Sequence, residues 1–572
     1  MPAILLLVLG LLSSAEAANP KAISRDGGRM AQAVLEYYGP GAAASALYVG
    51  TEACLACHSD YGDFRRSLHA SGLKTATHDG YSMQVKDGVI ADYDRNGVDD
   101  FKQGLDFNKI ESAFNAFKPN APVLGFSQEK GYFFRIGTME HKVVLVHGGT
   151  GQYKQRYLVK LPVTDRPGGW SAGTYYSPIQ FNEVSKSYVT YETARWWNAN
   201  GSPRVTAPMT SAQAATTGKS FDRECSGCHA TGLVVAKDPL GEFVAQAPPV
   251  VYADPNDPHY FDLNNATNKT AYNIGCERCH GPGGSHITNL GSKERIINPA
   301  KLTAKQANEL CGSCHSRGTS KGTAMYEFPW NESANEGFAE NIGDDLYGKY
   351  FVDKHGLWPD GKESRQHHQQ FQDFMTSAKW EYPFHKVTCY ECHDPHTGDA
   401  KNIRKKMVVD GTAGAKLEIA TRVEDNSLCL ACHAGFGPFA TLARADIVNI
   451  QANRAKIAPV VAAHSKHPYE PEKLLGLSRC TECHMAKVAS SGDPYDMSTH
   501  TFKVITPTQT LATADKGGMP NSCASSCHRA LAEAHGLRRD SSLTNWTEPA
   551  DLELARFLER YYGPEGIWWK TH

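Results

Sequence analysis

Cysteine pairs followed directly by a histidine recur along the chain. Seven have the pattern Cys-x-x-Cys-His, and the eighth has one extra residue between its cysteines. The eight copies account for all 16 cysteines of the 572 residues. We number them in chain order as sites one to eight: Cys54, Cys57 and His58; Cys225, Cys228 and His229; Cys276, Cys279 and His280; Cys311, Cys314 and His315; Cys389, Cys392 and His393; Cys429, Cys432 and His433; Cys480, Cys483 and His484; Cys523, Cys527 and His528.

This spacing suits the covalent attachment of c-type haem. Two thiols add to the vinyl groups along one porphyrin edge, and the adjoining histidine lies under the iron as its proximal ligand. A structural zinc site pairs Cys-x-x-Cys units with each other, and a disulfide framework has no reason to place a histidine after every second cysteine. A redox dithiol explains a single copy but not eight. The sequence therefore predicts eight covalent haem groups, with site eight the least regular.

Histidines beyond the motifs are numerous enough to supply a second ligand to every iron. The chain has 24 histidines, of which eight are the predicted proximal ligands. Two imidazoles saturate an iron, so that the haem transfers electrons and binds no substrate. His464 is an alternative to His467 as a distal ligand, and His368, His147 and His535 compete for the eighth position. The other predicted distal ligands are His69, His259, His286, His385, His396, His467 and His500.

The composition describes an exported, acidic holoprotein. The polypeptide has a formal charge of −2, and with two propionates per ferric haem the total reaches about −10. Such a charge argues against nucleic acid as a partner and favours redox proteins with basic surfaces. The apolar run Ile4 to Leu12, followed by Ala15-Glu16-Ala17, predicts a signal peptide at 1–17. We expect a periplasmic or extracellular protein with no membrane span after cleavage.

The segments between the motifs predict a mainly α and irregular fold with stacked haems. The dense spacing of sites two to eight leaves room for short helices and loops around the haems. A small β-rich subdomain is expected near the N-terminus, because 81–215 holds alternating β-branched and aromatic runs such as Tyr132–Ile136. The remaining predicted segments are an N-terminal haem segment at 18–80, a haem-dense region at 216–540 and a helical tail at 541–572.

An Asp/Asn/Gly-rich stretch predicts a possible calcium loop. Asp92, Asp94, Asn96 and Asp100 occupy positions 1, 3, 5 and 9 of such a loop, and Gly97 occupies position 6. Position 12 is a glutamine, so the usual bidentate carboxylate is missing. Two interpretations stay open at this stage, a calcium site and a plain turn.

Three motifs have distinctive surroundings: Cys276-Glu-Arg-Cys279-His280-Gly-Pro-Gly-Gly-Ser-His286, Cys389-Tyr-Glu-Cys392-His393-Asp-Pro-His396 and the stretch around site one. These segments resemble the multihaem cytochrome c family, which includes a tetrahaem carrier of ammonia oxidisers and, more distantly, octahaem oxidoreductases. The resemblance implies stacked haem pairs that form a continuous conductor, with His286 a ligand of a neighbouring haem. No Cys-x-x-Cys-Lys site is present, which departs from the lysine-ligated members.

These observations favour an electron-transfer protein over an enzyme. The predicted function is an electron relay through closely spaced bis-histidine haems, toward other redox proteins or extracellular acceptors. Self-assembly into oligomers or filaments is compatible with it. The alternative is an octahaem oxidoreductase that acts on a small nitrogen or sulfur compound at one open haem.

Overall fold

The computed structural model describes residues 49–76, 91–231, 234–246, 273–289, 291–320, 350–352, 356–377, 385–411, 414–492, 495–528, 549–563 and 566. The predicted signal peptide, His259 and His535 lie outside these residues. All eight motifs lie within them.

A seven-stranded antiparallel sheet forms the N-terminal part of the fold. Its order is β2-β3-β4-β5-β6-β7, with β1 paired to the second half of β4. The expected β-rich region is therefore confirmed, although β1 comes from the haem segment before it. The strands are β1 (Leu73–Thr75), β2 (Val123–Ser127), β3 (Gly131–Ile136), β4 (Met139–Gly148), β5 (Lys154–Lys160), β6 (Tyr175–Asn182) and β7 (Ser187–Thr190).

Aromatic side chains fill the space beneath this sheet. Phe101, Phe107, Tyr132 and Tyr157 have no exposed surface, and the ring centroids of Phe101 and Tyr157 lie 4.8 Å apart at a steep angle. Every residue of β6 is buried, so that strand is covered on both faces. β-Branched and aromatic residues fit such a pleated, covered surface, which explains why this segment forms strands.

The rest of the described chain consists of short helices, loops and four two-stranded hairpins. Most helices span four to seven residues, which is too short for stability without tertiary contacts. The hairpins pair Val234–Lys237 with Phe243–Gln246, Gly318–Ser320 with Tyr350–Val352, Lys406–Asp410 with Lys416–Ala420, and Lys487–Ala489 with Met497–Ser498. The helices are Thr51–Leu55, Leu68–Ser71, Asp100–Gln103, Thr193–Trp196, Ser211–Thr217, Phe221–Glu224, Ser226–His229, Glu277–His280, Gly284–Thr288, Ala304–Gly312, Gln370–Thr376, Cys389–Cys392, Ser427–His433, Arg444–Ile447, Arg454–Ser465, Cys480–His484, Pro507–Ala512 and Pro549–Tyr562. Within the described ranges, no helix has the length and apolar character needed to cross a bilayer.

Asp222 joins the sheet to the first motif of the haem-dense region. Its buried carboxylate accepts hydrogen bonds from the backbone amides of Thr174, just before β6, and Ala245, in the hairpin strand Phe243–Gln246. The residue lies in the helix Phe221–Glu224, directly before site two. Burial raises the pKa of Asp222 to about 6, which makes its charged form costly in the folded protein.

We predict that replacing Asp222 changes how stability depends on pH. The folded pKa lies above the unfolded value of about 3.9, so the folded state binds the proton more tightly. The protonated carboxyl therefore contributes to the free energy of unfolding below about pH 4. This contribution, at most roughly 2–3 kcal/mol, is lost as pH rises through about 6. The free energy of unfolding, measured by urea unfolding followed by circular dichroism, should no longer fall between pH 4 and 6 in Asp222→Asn. An unchanged slope would show that Asp222 is not the responsible group.

Candidate functional site

Each regular motif occupies a single helical turn. At sites one, three, four and five, the backbone amide of the histidine donates to the carbonyl of the first cysteine, with N···O distances of 2.9–3.0 Å. This hydrogen bond brings residues four apart onto one side of the turn. The local fold therefore places the first cysteine and the histidine of each of these motifs on the same side of one turn, as attachment to one planar group requires.

Site eight absorbs its extra residue in a wider turn. Ala524–His528 form a π-helical turn, in which the backbone hydrogen bond spans five residues rather than four. The wider turn accommodates the extra residue between the two cysteines, and the order of second cysteine and histidine is the same as at the other sites. The irregular spacing thus has a local structural explanation.

Seven of the eight motif histidines face a second histidine ring. The ring centroids in these pairs are 5.9–6.5 Å apart. Most partners lie far away in the sequence, so each pair joins separate segments. The pairs, from site one onward, are His58–His286, His229–His368, His280–His396, His315–His69, His393–His500, His484–His464 and His528–His467.

The separation fits two imidazoles on opposite sides of one metal ion. With metal–nitrogen bonds of about 2.0–2.1 Å and ring nitrogens roughly 1.1 Å from the ring centre, the centroids of coaxial ligands lie about 6.3 Å apart. Rings in direct van der Waals contact, such as His367 and His368 at 4.3 Å, are much closer. Among the described residues, no motif brings its cysteine and histidine ligand atoms together as a compact zinc site would. The residues therefore fit haem with two axial histidines.

In many of the paired histidines, the Nδ1 atom already has a hydrogen-bond partner. An Nδ1 contact of this kind orients the ring and leaves Nε2 free to act as a ligand. Six rings have Nδ1 within 2.8–3.1 Å of a backbone carbonyl oxygen: His280, His286, His393, His467, His484 and His500. Two others contact side chains, His315 the amide of Gln370 and His396 the carboxylate of Asp394.

The protonation state of the deeply set rings also suits ligation. Burial lowers the pKa of His69, His229 and His500 to about 4, so these rings are neutral near pH 7, the form that binds a metal.

An open groove of about 560 Å³ adjoins His464 and is lined by Pro438, Pro459, Val460 and Ala463. Apolar walls of this kind suit the face of a macrocycle.

Some predicted ligands lie elsewhere. His385 has its Nε2 2.7 Å from the carboxylate of Glu391 and is 61% exposed, without a motif histidine opposite it among the described residues. For site six, the ring opposite His433 is left unassigned, since His259 and His535 lie outside the described part. Sequence reasoning treated His464 and His467 as alternatives, whereas each faces a different motif histidine.

Site two differs from the others in the rings that surround it. Besides His368, the His229 ring contacts His147 edge-on at 4.1 Å between centroids, which is too close for an iron between them. The Nδ1 atom of His147 lies 2.7 Å from the Tyr176 hydroxyl. The guanidinium of Arg156 lies over the Tyr191 ring at 3.9 Å. Polar and aromatic groups therefore collect around this site.

At two places, an asparagine that lies three residues before one motif makes a pair of hydrogen bonds to the start of the next motif. The side-chain oxygen of Asn308 accepts from the amide of Cys389, and its nitrogen donates to the carbonyl of Val387. Asn426 makes the equivalent pair of bonds, at 2.9 and 2.8 Å, to Cys480 and Ser478. Both asparagines are buried. Thr51, three residues before site one, accepts from the amide of Cys276 at 3.4 Å.

The bridged motifs have adjoining sulfur atoms. The first cysteines of sites one and three are in contact, as are those of sites four and five and those of sites six and seven. The second cysteines of sites two and four also touch. Cysteines of sites three and four, of sites five and six, and of sites seven and eight also lie near one another. The motifs are therefore spatial neighbours in the order one, three, four, five, six, seven and eight, with site two beside site four; we call this order the series.

Asp373 supports the ring opposite site five. Its buried carboxylate accepts from the backbone amides of His500 and Ser364 and from the hydroxyls of Ser364 and Thr499. It thereby fixes the backbone that carries His500. Neither Asp373 nor the bridging asparagines had a sequence signal, because none belongs to a motif.

The predicted calcium loop forms a tight turn. Oxygen atoms of Asp92, Asp94 and Asp100 lie within 4.8 Å of one another. The Asp92 carboxylate accepts the amides of Asn96 and Gly97, and Gly97 has a φ of +82°, which favours glycine. The Asp100 carboxylate also accepts the Tyr188 hydroxyl. Both a calcium site and a plain turn accommodate this arrangement, so calcium stays a prediction.

We predict that Asn308→Ala and Asn426→Ala each destabilise the protein. Each change removes two hydrogen bonds to a partly buried amide and a partly buried carbonyl, at a cost of about 1–3 kcal/mol in total. Thermal unfolding followed by far-ultraviolet circular dichroism should show a lower Tm for both variants. Lys301→Ala, at an exposed position shortly before the Asn308 helix, is the control. Equal Tm values for all proteins would contradict the bridging role.

Comparisons with known proteins give two similar solved structures. The crystal structure of the outer cell wall cytochrome OcwA is 18% identical with a TM-score of 0.41, over 89% of this chain and 98% of that one. The undecahaem cytochrome from the S-layer of Carboxydothermus ferrireducens is 17% identical with a TM-score of 0.33, over 88% of this chain and 60% of that one. No family model and no curated protein matches the chain.

Proposed function

We propose that the chain is an octahaem c-type cytochrome that relays electrons outside the cytoplasm. The observation that carries this proposal is the set of seven facing histidine pairs, each with one ring from a Cys-x-x-Cys-His or Cys-x-x-x-Cys-His motif. Haem supplies reversible one-electron transfer at each of these positions. A relay needs closed coordination, and two histidines on one iron provide it.

The chain's own residues account for binding and orientation. The 16 cysteines attach the eight groups, and the eight motif histidines act as proximal ligands. Seven distal ligands follow from the pairs: His286, His368, His396, His69, His500, His464 and His467, for sites one to five, seven and eight respectively. The Nδ1 contacts hold many of these rings in place, and burial keeps several of them neutral.

Continuity between the motifs supports a relay rather than a set of isolated centres. The first cysteines of sites one and three, of sites four and five, and of sites six and seven are in contact, and cysteines of sites three and four, five and six, and seven and eight lie near one another. Site two adjoins site four as a branch. Electrons entering at one end of such a series have a neighbouring acceptor at every step.

We infer an exported protein, periplasmic or extracellular, whose partners are other redox proteins or extracellular electron acceptors. Covalent haem attachment and the predicted signal peptide both agree with export. The acidic charge expected for the holoprotein favours partners with basic surfaces. Assembly into oligomers or filaments remains part of this proposal, without a surface that identifies the partner copy.

A second candidate function is favoured by the surroundings of site two. An oxidoreductase needs groups that donate protons and bind a small substrate beside an open haem. His147, Tyr176 and Arg156 are residues of these types close to His229. However, His368 lies opposite His229 at 5.9 Å, as a saturating ligand would, so we favour the relay.

The haem count is the first prediction of this proposal. Intact mass and pyridine haemochrome analysis should give eight haems per chain, since each of the eight motifs attaches one. The Cys523→Ser, Cys527→Ser double variant should give seven, because the π turn at site eight presents both sulfurs normally. Ser525→Ala, a change within the same turn that removes no sulfur, is the matched control and should keep eight. Equal haem counts in the parent and the double variant would show that site eight is not an attachment site.

Axial ligation gives a second prediction. The oxidised parent protein should show only low-spin haem in electron paramagnetic resonance, and the reduced protein should bind no carbon monoxide. His500→Ala removes the proposed distal ligand of site five and should produce one high-spin haem and one carbon monoxide per chain. Ser498→Ala leaves the carbonyl that contacts His500 in place and should behave like the parent. Carbon monoxide binding by the parent, at about one iron in eight, would instead favour the oxidoreductase.

A further inference from the structure

One distal histidine differs from the others in the group that accepts its Nδ1 proton. Of the eight paired rings with a described Nδ1 contact, six meet backbone carbonyls and one meets a neutral amide. The Nδ1 atom of His396, opposite His280 at site three, instead lies 3.1 Å from a carboxylate oxygen of Asp394. Among the described residues, site three is therefore the paired site at which a carboxylate contacts the Nδ1 atom of a proposed ligand histidine.

Local structure holds this contact in place. The same carboxylate oxygen accepts the backbone amide of His396 at 3.2 Å. Asp394 itself donates its amide to the carbonyl of Asn402 at 2.6 Å and accepts from the amide of Thr397. Pro395 restricts the backbone between the two partners. In the described part of the chain, Asp394 forms its charge pair with His396 and with no lysine or arginine.

A carboxylate that accepts the Nδ1 proton of a ligating imidazole makes that imidazole a stronger donor. A stronger donor, together with a nearby negative charge, stabilises ferric iron relative to ferrous iron. The reduction potential of the centre falls as a result. The histidine and the carboxylate are 41% and 31% exposed, so solvent screens part of this effect. A neutral carbonyl acceptor has no comparable charge.

We propose that Asp394 is a positioning residue that lowers the reduction potential of site three below the value that a carbonyl-bonded histidine would give. This inference rests on the proposed haem function and adds a difference between the sites to it. The first cysteine of site three contacts that of site one, and its second cysteine lies near the cysteines of site four. Site three then holds an electron less readily than it would with a neutral acceptor, so the carboxylate raises the energy of an electron that passes between site one and site four.

The test is a mediated redox titration of the full-length holoprotein, followed in the visible spectrum and by electron paramagnetic resonance. Asp394→Asn keeps an oxygen that accepts the His396 amide and ring protons but removes the charge. One component should shift to higher potential, with about a tenfold larger ratio of reduced to oxidised haem at a fixed potential, or about 59 mV for one electron. The low-spin signal of one haem should change its g values without becoming high-spin.

Asp399→Asn is the matched control. Asp399 is a carboxylate of the same segment, is similarly exposed and pairs with Lys405 rather than with a histidine. It should leave the titration unchanged, which separates the ligand contact from a general loss of charge. An unshifted Asp394→Asn titration, equal shifts in both variants, or conversion of the site to high-spin haem would each overturn the proposal. A parent protein without covalent haem would instead overturn the proposed function itself.

Discussion

In the proposed function, the bond between one iron and two imidazoles is the constraint on which the rest of the structure depends. His58 and His286, or His69 and His315, lie more than two hundred residues apart, yet their rings face each other at about 6 Å. A covalently attached group between two such rings closes a long loop, and closing long loops removes much of the entropy of the unfolded chain. The helices that carry the motifs have four or five residues at most sites, so they depend on these links rather than on their own propensity.

The polar contacts between motifs follow from the same constraint. Once two attachment turns approach closely, their backbone groups are buried and need partners. Asn308 and Asn426 satisfy one amide and one carbonyl each on the neighbouring turn. Asparagine suits this role because its side chain offers an acceptor and a donor side by side. The same arrangement occurs at two pairs of sites. It therefore goes with the close pairing of two motif turns rather than with one segment of the chain.

The sequence specifies the candidate attachment residues directly, whereas the arrangement around them depends on tertiary structure. The Cys-His spacing is local, so all eight proximal histidines follow from it directly. A distal ligand is set by tertiary structure, which the motif spacing does not contain; His385, for example, lies against Glu391 in the structure, and its role as a ligand stays a prediction. His368 is paired with His229 through a segment with no motif of its own. The sheet was predicted where alternation was clear, but β1 was missed because three residues carry too little pattern.

Differences among otherwise similar sites are what give such a chain a direction. If every histidine donated to a neutral carbonyl, the ligand field would be nearly the same throughout, and only solvent and neighbouring charges would distinguish the sites. The carboxylate of Asp394 and the crowded surroundings of His229 break that uniformity at two places. Site three lies within the series, whereas site two is a branch beside site four. A change of potential within the series controls flow, while a branch can hold charge or meet a partner without interrupting it. In the proposed relay, a lowered potential at site three acts on flow within the series, whereas site two, as a branch, is placed to exchange electrons with the surroundings.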